Sequence, residues 1–323
     1  MKKLQELKNH HLYMIMEELL LTHSATMQEL MLKTGLSQPS VRNMIRYLQE
    51  EGYIEETGMD LSTGGRCPVR FTLSKKQFRV LSIYVLSREI KCRYDDKEET
   101  IEYKNENHLK EVILLLIKES QCTCCCIGVE GIVKHDVYLT DHQDEFIYHY
   151  WFKELSEEVN IPIYLENDVK AMHLGEYYTH SLNRSVYLHI NKVGIGSSYI
   201  DNISLYGKNG IAGEIGLLPY NGITLNKRVR DCKNQDEFNE IISYLLLVIY
   251  TMLDPKEIYL SISIPWQVNE EYIKKYLKKY IFLDIPLNIT ISKDYQELLF
   301  YGLKTIGTLN LIKKITGEKN EKV

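Results

Sequence analysis

The first fifty residues show apolar positions spaced with the period of an α-helix. In "KNHHLYMIMEELLLT" the apolar stripe consists of Leu12, Ile15, Met16, Leu19 and Leu20. Thr26 and Glu29 have the spacing of a capping box, which predicts the start of a short second helix. Gly35 is a residue type that commonly ends a helix, and Ser37 is predicted to cap a third helix.

This third helix has one apolar face and one polar face. Val41, Ile45 and Leu48 are predicted to point inward. The outward residues are Gln38, Ser40, Arg42, Asn43 and Arg46. A helix, a glycine-containing turn and a helix with an arginine-bearing outer face form the layout of a helix-turn-helix. The alternative for the helix pair alone is a small bundle with a solvated face.

The segment after these helices predicts a wing. Two short strands, Tyr53 to Thr57 and Val69 to Leu73, flank a polar loop. Gly64 and Gly65 allow the loop to approach a surface closely, and Arg66 projects from it. Because a narrow minor groove attracts an inserted arginine, we predict that residues 1–74 bind a double-stranded DNA operator.

Charge and length agree with a small DNA-binding head on a larger body. The chain has 323 residues, enough for two or three domains. Its net charge is −5, but residues 1–79 carry eleven Lys or Arg against nine Asp or Glu, so only the head is basic. No apolar run is long enough for a membrane span, and the first residues lack the apolar core of a signal peptide. We therefore expect a cytoplasmic protein that has no membrane partner.

Four of the seven cysteines lie close together in "CTCCCIGVEGIV", residues 122–133. A metal site is one interpretation of this cluster. Structural zinc sites, however, usually take their ligands as spaced pairs from two separate segments. The pattern favours a buried strand in which cysteine acts as a small apolar residue.

The segment "IPIYLENDVKAMHLGE", residues 161–176, predicts a strand followed at once by a helix. Asp168 would then lie at the N-terminus of that helix, aimed out of the body of the protein. Its carboxylate has three interpretations: a general base, a helix N-cap, or a hydrogen-bond acceptor that holds a ligand.

Several of these segments resemble the ROK family (repressors, open reading frames and kinases). "TGLSQPSVRNMIRYLQEEGYI" with "STGGRCPVRFTL" is similar to the winged helix-turn-helix of its transcriptional regulators. "ENDVKAMHLGE" resembles the family signature "ENDANAAALGE", and "AGEIGLL" resembles "AGExGH". The resemblance implies an α/β fold in which a winged helix-turn-helix precedes a two-lobed, actin-like and sugar-kinase-like body. The lobes would comprise residues 78–165 with about 294–318, and residues 166–293. It also implies a homodimer or homotetramer.

The resemblance assigns ligand-binding roles to four residues of the body. Asn167 and Asp168 match the family's sugar-contacting pair, and Asp168 also matches the catalytic base of its kinases. Glu214 matches a second sugar-contacting carboxylate. Gly131 matches the glycine of a conserved turn in which Glu130 replaces the usual proline. The expected partner of this site is a small effector, a sugar or sugar derivative.

A first departure from the family argues against catalysis. The stretch that corresponds to the strand and turn cradling ATP phosphates in the kinases reads "FRVLSIYVLSREIKCRYDD" here, and neither glycine nor an acidic residue stands at the position of that turn. Gly194 and Gly196 remain, but one glycine loop is weak support for nucleotide binding. Because phosphoryl transfer depends on positioned phosphates, we expect no catalytic residue and no cofactor.

The second departure concerns the zinc site. Leu217 occupies the position of the family's zinc-binding histidine, and only Cys232 follows where the family has three cysteines. One thiol cannot form a tetrahedral site, so no metal is expected.

The prediction is a transcriptional regulator, a repressor, whose non-catalytic body senses a small metabolite. Two alternatives stay open. One is a ligand-free regulator whose body only oligomerises. The other is a sugar kinase that carries an accessory DNA-binding head.

Overall fold

The computed structural model describes residues 2–59, 68–142, 145–180, 183–201, 203–282 and 286–318. The chain divides into two compact units. The first unit consists of Met1–Ile127, Ser156–Tyr164 and Leu303–Lys322. The second unit consists of Gly128–Leu155 and Leu165–Gly302. Within the described ranges, no helix is both long enough and apolar enough to cross a membrane.

The first unit begins with three helices, α1 (Lys2–Thr22), α2 (Met27–Thr34) and α3 (Gln38–Glu50). The capping box at α2 is confirmed, because the Thr26 hydroxyl accepts from the Glu29 N–H and the Glu29 carboxylate accepts from the Thr26 N–H. Gly35 ends α2 with a φ of 69°. Ser37 does precede α3, but its hydroxyl contacts the Ser40 hydroxyl at 3.0 Å instead of a backbone N–H. Ser37 is therefore the N-cap residue of α3 as predicted, but its side chain makes no capping hydrogen bond.

The apolar stripes of these helices pack together, except that Leu20 is only partly buried. Their buried residues are Leu12, Ile15, Met16, Leu19, Leu30, Val41, Ile45 and Leu48. Three short strands complete the head: β1 (Ala25–Thr26), β2 (Ile54–Met59) and β3 (Val69–Leu73), in the order β1-β3-β2. The two strands predicted to flank the wing are confirmed, although β2 extends further than expected.

A five-stranded sheet follows the head. It contains β4 (Val80–Val85), β5 (Glu89–Tyr94), β6 (Lys97–Glu102), β7 (Cys124–Val129) and β11 (Ile163–Asn167), in the order β11-β7-β4-β5-β6. Helix α4 (Glu106–Ser120) connects β6 to β7. Cys124, Cys125 and Cys126 are fully buried in β7, which confirms the buried-strand interpretation of the cysteine cluster.

The second unit is built on a different five-stranded sheet. Its strands are β12 (Ser185–Ile190), β13 (Ile195–Asp201), β14 (Ile203–Ser204), β17 (Glu257–Ile262) and β18 (Ile289–Ile291), in the order β14-β13-β12-β17-β18. Besides β7 and β11, the segment between α4 and the central strand β12 contains β8 (Ile132–Lys134), β9 (Val137–His142), β10 (Glu145–His149), α5 (Trp151–Glu158) and α6 (Asp168–His180). After β14 come β15 (Pro219–Tyr220), β16 (Ile223–Thr224), α7 (Leu225–Asp231), α8 (Gln235–Leu253) and α9 (Glu270–Leu277).

The two faces of the second sheet differ in chemistry. On one face, alternate residues of β12 and β17, such as Leu188 and Leu260, form an apolar core with α8. On the other face, β12 and β17 present the buried polar or aromatic side chains of Tyr187, His189, Tyr259 and Ser261. This second face lies under α6, because the ring of Tyr187 is 6.0 Å from the ring of His173.

Helix α10 (Tyr295–Thr316) begins in the second unit and packs there against α6 without intervening side chains. A Cβ added at Gly302 would lie 1.8 Å from the carbonyl oxygen of Ala171. A Cβ added at Gly175 would lie 2.3 Å from the carbonyl oxygen of Leu298. Glycine at these two positions therefore allows α6 and α10 to approach backbone to backbone.

Candidate functional site

The outer face of α3 carries the predicted DNA-contacting residues. Gln38, Arg42, Asn43 and Arg46 are exposed, and Ser40 is partly exposed. Arg46 lies 3.8 Å from Glu50 in an exposed pair, which leaves its guanidinium group accessible. The sequence therefore places two cations and an amide on one accessible helix face. The predicted wing residues Gly64, Gly65 and Arg66 lie outside the described residues.

In the second unit, Asn167 caps helix α6. Its Oδ1 accepts a hydrogen bond from the Lys170 N–H at 3.0 Å, which is the usual bond of an N-cap side chain. Its Nδ2 donates to the carbonyl oxygen of Gly131 at 2.8 Å. The structure thus brings together two predicted site residues, Asn167 and Gly131, and it gives the capping role to Asn167.

Asp168 is the first residue of α6, and it is only 3% exposed. The expectation that it points out of the body of the protein is therefore wrong. Its Oδ1 accepts a hydrogen bond from the Val169 N–H at 2.8 Å. Asn167 is therefore the N-cap of α6, and the Asp168 carboxylate satisfies a further N–H of the first turn, that of Val169.

The backbone conformation and the close packing at position 131 both require glycine. The φ of Gly131 is 107°, a conformation that favours glycine, and an added Cβ would lie 2.1 Å from the carbonyl oxygen of Leu139. The turn between β7 and β8 therefore requires glycine, and it holds the Gly131 carbonyl where Asn167 can donate to it.

Glu214 belongs to a segment that is anchored by close backbone contacts. A Cβ at Gly213, whose φ is 98°, would lie 2.1 Å from the carbonyl oxygen of Ser197. The Ser197 hydroxyl donates to the Gly213 carbonyl at 2.8 Å. Glu214 itself is half-buried, and burial raises its pKa to about 7, against the opposing effect of the positive charge of Lys170. None of the hydrogen bonds or ion pairs among the described residues involves its carboxyl group.

Three neighbouring residues were missed by the sequence reasoning: Glu166, Lys170 and Tyr206. The Tyr206 hydroxyl donates to Glu166 Oε2 at 2.7 Å, and the Asn167 N–H donates to Glu166 Oε1 at 2.9 Å. Lys170 Nζ lies 4.7 Å from the centre of the Tyr206 ring. One signal was available in the sequence, because "ENDVK" has lysine where the family signature "ENDAN" has asparagine.

The loop that contains Gly194 and Gly196 packs against other side chains of the same unit. A Cβ at Gly194 would lie 2.3 Å from Asn226 Oδ1, and a Cβ at Gly196 would lie 2.6 Å from a methyl group of Val169. Asn226 Oδ1 also accepts from the Ile195 N–H at 2.8 Å. Internal packing is therefore sufficient to explain these glycines.

The turn that corresponds to the phosphate cradle is a closed hairpin between β4 and β5. The Leu86 N–H donates to the Glu89 carbonyl at 2.9 Å. The Tyr103 hydroxyl donates to the Leu86 carbonyl, and the Tyr103 N–H donates to the Arg88 carbonyl at 2.9 Å. The Leu86 amide is therefore already engaged.

Leu217 ends a single 3-10 turn, Ile215–Leu217, and Cys232 lies after α7 with a half-buried thiol. Across the described ranges, no three His, Cys, Asp or Glu side chains are grouped as a metal site would require. The absence of zinc remains a prediction from the sequence.

Comparisons with known proteins agree with this architecture. Residues 80–244 match the model of the ROK family, and residues 14–58 match the model of the IclR helix-turn-helix domain. The chain is 26% identical over 242 residues to the xylose repressor of Bacillus subtilis (strain 168), covering 68% of this chain and 63% of that repressor. It is 23% identical over 207 residues to the N-acetylglucosamine repressor of Escherichia coli O157:H7, covering 57% and 51%. The matches thus span less than two thirds of these relatives.

Solved structures support the predicted fold. A ROK family transcriptional regulator, a homologue of the E. coli MLC protein, superposes with a TM-score of 0.68 at 13% identity, covering 97% of this chain and 98% of that one. A ROK family protein from Streptococcus pneumoniae TIGR4, solved in complex with sucrose, gives a TM-score of 0.59 at 18% identity, covering 74% and 99%. The prediction of an N-terminal helix-turn-helix with a sugar-kinase-like body is confirmed.

Proposed function

We propose that this chain, which belongs to the ROK family, is a DNA-binding transcriptional repressor whose body binds a small effector and does not phosphorylate it. The observation that carries the proposal is the exposed face of α3 in a helix-turn-helix with wing strands. The relatives named xylose repressor and N-acetylglucosamine repressor support the same function and suggest a sugar as effector. A two-fold operator would be read by a homodimer or a homotetramer.

Binding without phosphorylation is supported by the hairpin between β4 and β5. Phosphoryl transfer is almost entirely a matter of positioning the phosphates and stabilising their charge. The kinases that this chain resembles have a glycine turn with free backbone amides at this point. Here the turn carries the exposed side chains of Ser87 and Arg88, and Tyr103 donates hydrogen bonds to its backbone carbonyls. The proposed body is therefore a sensor derived from a kinase fold.

The first prediction tests DNA binding. Operator sequences are selected from random duplexes with the wild-type protein, and affinities are then measured by fluorescence anisotropy at several salt concentrations. R42A and R46A should each weaken binding by roughly ten- to a hundredfold, as expected for loss of a base or phosphate contact. A variant that loses a phosphate contact should also show a salt dependence reduced by about one ion.

The control for this experiment is R88A, which removes the same charge from an exposed turn of the body. It should bind operator DNA as the wild type does. If R42A and R46A bind like R88A, the face of α3 is not the DNA-binding surface.

The second prediction concerns Asp168. We expect D168N to weaken binding of neutral sugars, D-xylose and N-acetylglucosamine among them, by roughly ten- to a hundredfold, because a charge-assisted hydrogen bond is lost. Asparagine at position 168 preserves shape, and the N-cap on Asn167 stays in place. Calorimetric titration of both proteins measures the effect.

Equal sugar affinities of D168N and wild type would show that the charge of Asp168 does not contribute to sugar binding. Absence of binding of any sugar to the wild type, with operator binding intact, would favour the ligand-free regulator whose body only oligomerises.

A further inference from the structure

Strand β10 (Glu145–His149) is the outer strand of the small sheet β10-β9-β8. It pairs antiparallel with β9, and among the described residues no other strand pairs with it. The outer side of such a strand presents a row of backbone N–H and C=O groups, which can pair with a strand of another chain. Whether that pairing is favoured depends on the side chains that the strand carries.

The side chains of β10 are apolar at positions where outer strands are usually charged. Phe146 and Ile147 are each 45% exposed, and Tyr148 is 57% exposed. The outer strand of the sheet in the first unit, β6 (Lys97–Glu102), carries the usual protection, because charged side chains discourage pairing between chains. Its exposed residues are Lys97, Glu98, Glu99, Thr100 and Glu102. The chain therefore protects the edge at β6 and leaves the edge at β10 suited to pairing.

The sequence of β10 is complementary to itself in one antiparallel register. When Ile147 faces Ile147 of a second copy, Phe146 faces Tyr148 and Glu145 faces His149. All residues of the strand are then paired about a two-fold axis, as a closed dimer requires. Facing residues belong to the same alternate set along the strand, so the outward backbone groups of the two copies meet.

The facing side chains in this register are favourable partners. Phe146 with Tyr148 is an aromatic cross-strand pair, a kind of pair that stabilises sheets. Glu145 with His149 places a carboxylate beside an imidazole, whose N–H can donate to it. A parallel pairing in register would place Glu145 beside Glu145, and like charges directly opposite each other destabilise a sheet. Charge and side-chain type therefore select a second copy in the antiparallel orientation.

We propose that β10 is an interface between copies of this chain, at which it pairs antiparallel with β10 of a second copy about a two-fold axis at Ile147. The two three-stranded sheets then join into one continuous sheet across the axis. The proposed function calls for a homodimer or a homotetramer, and this inference goes beyond it by naming the surface that joins two copies.

The first test is disulfide cross-linking, which detects weak pairs as well as stable ones. Facing residues of antiparallel strands have Cα atoms about 4.5–5.5 Å apart, within the reach of a disulfide. Two copies of residue 146 would lie about 8 Å apart in the same register, which is beyond that reach. I147C should therefore form a covalent dimer roughly tenfold or more faster than F146C in the presence of oxidised glutathione.

The background for both variants is C67S with C232S. Cys232 is only partly buried and Cys67 lies outside the described residues, whereas the other cysteines are buried. Phe146 and Ile147 are equally exposed, so F146C controls for the accessibility of the introduced thiol. Non-reducing gel electrophoresis over time measures the two rates.

The second test measures association of the full chain by sedimentation equilibrium. I147K places two like charges opposite each other on the axis, which destabilises the strand pair. At a concentration where the wild type is an oligomer, I147K should sediment with half the mass of the wild type. The control, L115K, introduces the same charge at an exposed leucine of α4 and should sediment as the wild type does.

The contrary results are as specific as the expected ones. Equal cross-linking rates of I147C and F146C would mean that the copies meet by collision and not in this register. An I147K protein with the mass of the wild type, or a wild type that is a monomer at every concentration, would mean that β10 joins no copies. Neither measurement contains DNA, so a failure of operator binding alone would remove the proposed function and leave this interface standing.

Discussion

Between pH 8 and pH 5, the wild-type protein should lose about 4 kcal/mol more stability than a variant carrying H173Q and H189N. Both histidines are buried, and burial lowers the pKa of His173 to about 3 and that of His189 to about 4. The ordinary pKa of histidine is about 6.5. Each ring therefore stays neutral in the folded protein at a pH where it takes up a proton in the unfolded chain.

The direction of the effect follows from proton binding. Below pH 6.5 the unfolded chain binds more protons than the folded protein, so stability falls as the pH is lowered. At pH 5, about 1.5 pH units below the unfolded pKa, each histidine contributes a loss of about 2 kcal/mol. Glu214, with its raised pKa, acts in the opposite direction. Because Glu214 is present in both proteins, its contribution cancels in the comparison.

The substitutions keep the hydrogen bonds that the rings make. His173 Nε2 lies 2.9 Å from the Ser185 hydroxyl, and the amide of glutamine reaches a similar position. His189 Nδ1 lies 2.9 Å from the Ser261 hydroxyl, which the shorter asparagine amide can reach. Urea denaturation of both proteins at each pH measures the difference. If the two stability curves are parallel between pH 8 and pH 5, the histidines are not held neutral by the fold.

Features set by neighbouring residues were predictable from the sequence. The capping box of Thr26 and Glu29, the end of α2 at Gly35 and the buried strand of Cys124 to Cys126 all depend on spacings of a few residues. Each of these patterns has few alternatives, because helix ends and buried strands demand particular residue types.

Features set by contacts between distant segments were not predictable. Tyr206 donates a hydrogen bond to Glu166 although the two residues are forty positions apart, and neither local sequence indicates this contact. Which of two adjacent residues is the N-cap of α6 was not predictable for a related reason. Both Asn167 and Asp168 are good capping residues, and the choice depends on where the strand β11 ends and where the Gly131 carbonyl lies.

The contact between α6 and α10 belongs to this second class, and it predicts a large effect of a small substitution. Gly302 lies in the interior of α10, where alanine is intrinsically favoured over glycine by about 1 kcal/mol. The Cβ of an alanine would, however, lie 1.8 Å from the Ala171 carbonyl oxygen and 2.6 Å from its carbon. Backbone atoms cannot turn aside as a flexible side chain can, so the two helices must move apart.

We therefore expect G302A to lower the free energy of unfolding by about 3 kcal/mol, the upper end of the usual cost of overpacking in a buried contact. Because α6 begins at Asp168, the displaced helix should also weaken the proposed effector binding. The control is K304A, two residues further along α10 with an exposed side chain, which should change stability by less than about 0.5 kcal/mol. Urea denaturation of the three proteins decides the matter: a G302A protein as stable as K304A would mean that α6 and α10 do not pack backbone to backbone.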